Sequence, residues 1–77
     1  MDSLVYGRLN SAHIDLLSKI MEAHGHIGIV STINAGNGLI VVRATPDTIN
    51  EVLLILEHLP FPLHIIHPGQ ELYINKL

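Results

Sequence analysis

The chain has 77 residues, of which 48% are hydrophobic and only 14% charged, and its net charge is −3 when its six histidines are neutral. There is no cysteine, which excludes disulfides and thiolate metal sites. The four basic residues are scattered, which argues against a nucleic-acid partner, because phosphate neutralisation needs clustered Lys and Arg. No apolar run reaches the length of a membrane span, and the start MDSLVYGR lacks the basic start and apolar core of a signal peptide. The expectation is a single cytoplasmic domain over residues 1–77, with no membrane partner.

In chain order, residues 4–9 (LVYGRL) form a short β-rich run. Alternation places Val5, Gly7 and Leu9 on the core face and Leu4, Tyr6 and Arg8 on the other. Asn10 and Ser11 are candidate caps, and residues 11–24 have helical periodicity, with Ile14, Leu17, Ile20 and Met21 as the apolar stripe. Gly25 suits the left-handed residue after a helix. Residues 27–33 and 39–44 are apolar, β-branched runs around NAGNG, the two arms of a hairpin. Asn37-Gly38 suggests a type I′ turn, in which both central residues need positive φ, with the loop length open by a residue or two.

Thr45-Pro46-Asp47 starts a second helix: a capping Thr, Pro at the first helical position and an acid near the positive end of the dipole. This helix is expected over residues 46–59 with Ile49, Val52, Leu53, Leu56 and Leu59 in its core stripe, ended by Pro60-Phe61-Pro62. Residues 63–66 read as a fourth strand. Residues 67–70 (HPGQ) read as a turn, and residues 71–77 as a fifth, edge strand or an arm that crosses to a partner.

The order strand, helix, strand, strand, helix, strand predicts an α+β, ferredoxin-like βαββαβ sandwich: a four-stranded antiparallel sheet in order 4-1-3-2 with both helices on one face. Both hairpin arms are apolar on both faces, whereas an antiparallel sheet with one wet face alternates more cleanly. A chain this small also has little interior to hide so many Ile, Leu and Val side chains. Together these predict a homo-oligomer, most simply a dimer that covers the bare face of the sheet.

Residues 16–42, LLSKIMEAHGHIGIVSTINAGNGLIVV, and residues 51–66, EVLLILEHLPFPLHII, resemble the ACT domain family and the short stand-alone bacterial relatives of that fold, some of unknown function. The resemblance implies a small regulatory or ligand-binding module that holds an effector such as an amino acid at a subunit interface. In that family the ligand sits at the loop after the first strand. The matching positions here are Asn10, Ser11, Ala12 and His13, with Asn34 and Asn37 at the hairpin tip. The acid and the Pro-Gly-Leu-like turn of the family pattern are not present at these positions. Asn10 and Ser11 would bond a carboxylate or amine instead, and the helix N-terminus would favour an anion.

The six histidines are the other chemical signal. The predicted topology sorts them by end, with His13, His58 and His64 at one and His24, His26 and His67 at the other. Three imidazoles plus water is a catalytic zinc pattern, and His24, His26 and His67 are the candidate metal ligands, although no spacing such as His-Glu-x-x-His supports them. No nucleophile constellation is visible, and no resident cofactor or enzyme activity is expected. The NAGNG stretch joins two strands instead of leading into a helix, so it reads as a turn and not a phosphate loop. A histidine-dependent metal-binding protein and a structural adaptor of the same fold are the alternatives to a regulatory module.

Overall fold

Alternating apolar residues in the first segment and a 3.6-residue apolar stripe in the next produce a strand and a helix that share one core. A computed structural model of the chain describes residues 3–66. It contains β1 (Ser3–Leu9), a 3₁₀ turn (Ser11–His13), α1 (Ile14–Ala23), β2 (Ile29–Asn34), a second 3₁₀ turn (Ala35–Asn37), β3 (Leu39–Ala44), α2 (Ile49–Glu57) and β4 (Leu63–Ile66). The strands form one antiparallel sheet in the order β2-β3-β1-β4, which is the predicted 4-1-3-2 read from the other edge. The fold is α+β and ferredoxin-like. The expected turn at residues 67–70 and the fifth strand or arm at residues 71–77 lie outside the described residues.

Register sorts the sheet into two faces. Val5 pairs with Val42, Gly7 with Ile40 and with Ile65, and Leu9 with Leu63. On this face Val5, Leu9, Ile40, Val42 and Ala44 form one cluster with Leu17 and Met21 of α1, Val52 and Leu56 of α2, and Phe61. Both helices therefore cover the same face. Leu17, Met21, Ile40, Val42 and Val52 are almost completely enclosed, and each side chain so buried contributes about 1.5–3 kcal/mol. On the opposite face the cross-strand rows are Ile29–Arg43–Leu4, Ser31–Val41–Tyr6–Ile66 and Asn34–Leu39–Arg8–His64. Val41 and Ile66 are buried within the middle row, while Leu4 (47%), Ile29 (64%) and Ile33 (50%) stay exposed. Among the described residues no helix lies over this face.

Element ends depart from the sequence reading in three places. Helix α1 closes as expected, with the Gly25 amide donating to the Glu22 carbonyl at 3.1 Å and Gly25 at φ 86°. His26 then also takes positive φ (60°), and β2 starts at Ile29 and not at Ile27. Helix α2 starts at Ile49 and ends at Glu57, inside the expected 46–59. Before it, the Thr45 amide donates to Thr48 Oγ1 at 3.0 Å, and the amides of Thr48 and Ile49 donate to the Thr45 carbonyl at 3.0 and 2.9 Å. This is one half of a capping box, with a threonine hydroxyl in the place of the usual Glu or Gln.

The hairpin turn is the third departure. Asn37 does not have positive φ, so the turn is not type I′. The chain instead makes one 3₁₀ turn over Ala35–Asn37, and Gly38 alone becomes left-handed, at φ 69°. A register shift between Thr32 and Asn34 absorbs the odd residue. Gly38 is also pressed against β1. Its carbonyl accepts from the Leu9 amide at 3.0 Å, and a Cβ at this position would lie 1.7 Å from the Leu9 carbonyl oxygen. Gly25 is left-handed too, but a Cβ there would meet nothing within 4 Å.

These two glycines separate conformational strain from steric collision. Gly25→Ala should cost only the left-handed penalty, about 1–2 kcal/mol. Gly38→Ala adds a backbone clash that overpacking alone prices at about 1–3 kcal/mol, so its total should exceed about 3 kcal/mol. Urea unfolding of the two variants measures the difference, and equal losses would mean that the close approach of Gly38 to Leu9 is wrong.

Candidate functional site

The loop after β1 and the hairpin tip meet at one end of the sheet. The Leu9–Gly38 backbone bond ties them together, and the two 3₁₀ turns lie against each other. The sequence-predicted ligand residues Asn10, Ser11, Ala12 and His13 are thus brought near Asn34 and Asn37, as the topology required. Their side chains are already engaged in folding. Asn10 Oδ1 accepts from the Ala12 amide at 2.9 Å. Asn34 Oδ1 accepts from Gly36 at 2.9 Å and from Asn37 at 3.4 Å, and Asn37 Oδ1 accepts from Leu39 at 3.2 Å. Each asparagine closes its own turn, which is what a short amide side chain does where backbone N–H groups lack partners. Ser11 and Ala12 are exposed and make no side-chain bond among the described residues.

His13 is different. Its ring stacks on Phe61 with centroids 4.7 Å apart and planes 23° from parallel. Its Nδ1 is shielded from solvent and has no hydrogen-bond partner among the described residues. An unsatisfied buried polar atom costs about 1–3 kcal/mol, so its retention needs a reason. The second such atom is Arg8 Nε, on the open face of β1. Sequence reasoning did not single out Arg8 or the Phe61 contact. Alternation did place Arg8 off the core face, but its neighbours in other strands depend on register.

The histidines are placed differently in the two predicted groups. Among the described residues no three His, Asp or Glu side chains converge on a point that could hold a metal ion. His13, His58 and His64 are therefore not a ligand set. His24 and His26 are exposed around the end of α1, and His67 lies outside the described residues. His24 and His58, assigned to opposite ends by topology, both line one open groove of about 250 Å³ between the helices, with Ile20, Leu54, Ile55 and Leu59. The reason is helix length: ten and nine residues span only about 15 and 14 Å, so a groove between them reaches the last turn of each. His58 Nδ1 lies 2.8 Å from the Leu54 carbonyl, a bond in which the ring must donate, so it closes the end of α2.

Charge is partitioned between the layers. Asp15, Glu22, Glu51 and Glu57 stand on the helices and Asp47 in the turn before α2. Lys19 is paired to Asp15 at 3.3 Å on the same layer. The open sheet face carries Arg8 and Arg43 and, among the described residues, no carboxylate.

The family model for a domain of unknown function, DUF4911, matches residues 8–62. The chain belongs to this family. No curated protein and no solved structure matches it. The DUF4911 segment runs from Arg8 through both 3₁₀ turns to the residue after Phe61, so it spans the Leu9–Gly38 tie and the His13–Phe61 stack. Among the described residues of this DUF4911 chain, no helix is long and apolar enough to cross a membrane.

The orphaned imidazole gives a direct test. His13→Phe keeps the stack on Phe61 and removes the unpaired nitrogen, so it should leave stability unchanged or raise it by about 1 kcal/mol. His13→Ala should lower it by about 1–2 kcal/mol. Thermal and urea unfolding of both variants distinguish the outcomes. Equal destabilisation by Phe and Ala would show that the nitrogen has a partner the folded chain needs.

Proposed function

We propose that this chain is a non-enzymatic, ACT-like binding module that acts as a homodimer and takes a small effector at the shared interface. The observation that carries the reading is the open face of the sheet, where Leu4, Ile29 and Ile33 are exposed together around a buried Val41 and Ile66. Water-facing sheet surfaces in monomers alternate to polar residues, and several large aliphatics exposed on one sheet face suit an interface. A second copy is the simplest partner, because a two-fold axis brings the same patch to itself. The ferredoxin-like topology leaves the loop of residues 10–13 and the hairpin tip at the border of that face, where an effector would touch both protomers.

The asparagine side chains support the reading further: their oxygens are held by backbone amides, which leaves their NH₂ groups to face a ligand.

Light scattering after size exclusion should give twice 8.5 kDa at tens of micromolar. Ile29→Glu places a charge on the exposed patch without touching the core, so the variant should run as a monomer with an unchanged circular dichroism spectrum. A wild-type chain that remains monomeric at 100 µM sinks the homodimer.

A further inference from the structure

The polar end of the open sheet face poses a charge problem. Arg8 and His64 are directly opposed across β1 and β4, so their Cβ atoms are about 5 Å apart on the same face. Among the described residues Arg8 Nε is shielded from water and has no hydrogen-bond partner, and no ion pair to Arg8 is found. The described acids stand on the helical layer and in the turn before α2, beyond the core. A guanidinium N–H shielded in this way is costly unless an acceptor completes it, and an anion is the strongest such acceptor.

We infer that Arg8 and His64 form an oxyanion site on the open sheet face, taking the carboxylate or phosphate group of a small molecule. The guanidinium fork matches two oxygens of either group, and the imidazole supplies a third donor from the neighbouring strand. Asn34 and Leu39 complete the same cross-strand row, so the site lies next to the hairpin tip. This inference deepens the effector-binding reading and rests on it: it names the group through which the effector is held. It also explains how a face carrying Arg8 and Arg43 closes on its own copy. Two such faces bring four guanidinium groups together, and an anion at each Arg8 relieves that repulsion. Dimerisation is then coupled to the anion by linkage.

The test uses the full chain in a phosphate-free buffer, titrated separately with inorganic phosphate and with succinate and followed by nitrogen–proton NMR. The Arg8 Nε–H resonance and the backbone amides of Arg8 and His64 should shift saturably. Arg8→Gln should weaken binding at least tenfold and His64→Gln several-fold, while Arg43→Gln, at the far row of the face, should change it less than twofold. The wild-type Arg8 signal reports the site even if Arg8→Gln folds poorly. Phosphate binding without succinate binding assigns the site to phosphate esters, and the reverse assigns it to carboxylates. Shifts that do not saturate, or that are unchanged in Arg8→Gln, overturn the site. Sedimentation of the same samples separates the two readings. Saturable binding to a chain that stays monomeric keeps the oxyanion site and discards the dimer; dimerisation without any Arg8 shift does the opposite.

Discussion

The contact between Gly38 and Leu9 holds the candidate site together. One backbone hydrogen bond of 3.0 Å and a separation that admits no Cβ bring the hairpin tip onto the end of β1. The loop that leaves β1 is thereby placed beside the tip, and the chain then turns into α1. His13 sits in that loop and rests on Phe61, which itself belongs to the central cluster. The tie thus connects the sheet, the start of α1 and the segment after α2. A glycine is required twice over, once for its left-handed φ and once for its missing side chain.

The two layers of the fold differ in chemistry as well as in shape. The helical layer carries the described carboxylates and seals a dry core with Leu17, Met21, Val52 and Leu56. The sheet turns its other surface outward with branched aliphatics and arginines. In a chain of this size the core alone is a marginal source of stability. The exposed aliphatics are therefore surface that another molecule can use, while the arginines restrict which molecule it is. An uncharged apolar partner leaves them desolvated and unpaired, at a cost that apolar burial must exceed.

Hydrophobic period and capping chemistry made most of the architecture legible. The Leu17–Met21 and Val52–Leu56 spacings, the Gly25 terminus and the alternation of β1 each follow from local rules, and two split βαβ units then give the sheet order. The turn at residues 35–38 was not legible in detail, because Asn37-Gly38 suits more than one loop and the choice is made by the docking of Gly38 on Leu9. His26 was missed for a related reason, since a second left-handed residue after Gly25 depends on how the chain re-enters the sheet. The threonine pair that starts α2 uses a hydroxyl where Glu or Gln is usual. At the site, the proximity of residues 10–13 to the tip followed from topology. The facing of Arg8 and His64, 56 residues apart, and of His13 and Phe61 required strand register and packing that no local pattern contains. The DUF4911 match adds a family without adding a chemistry.

What the tip leaves over for recognition is one-sided. The oxygens of Asn10, Asn34 and Asn37 are occupied by backbone amides, so those side chains retain their NH₂ donors. Arg8 has only donors, and His64 contributes a ring N–H. This end of the molecule is consequently rich in hydrogens to give and poor in side-chain oxygens to receive. A ligand that is itself rich in acceptors, such as a carboxylate or phosphate, meets complementary groups there, while an ammonium group does not. If an amino acid binds at this end, its carboxylate faces Arg8 and its amine needs backbone carbonyls or the partner protomer. That asymmetry follows from the folding role of three asparagines, and it ties the chemistry of the site to the turns that build it.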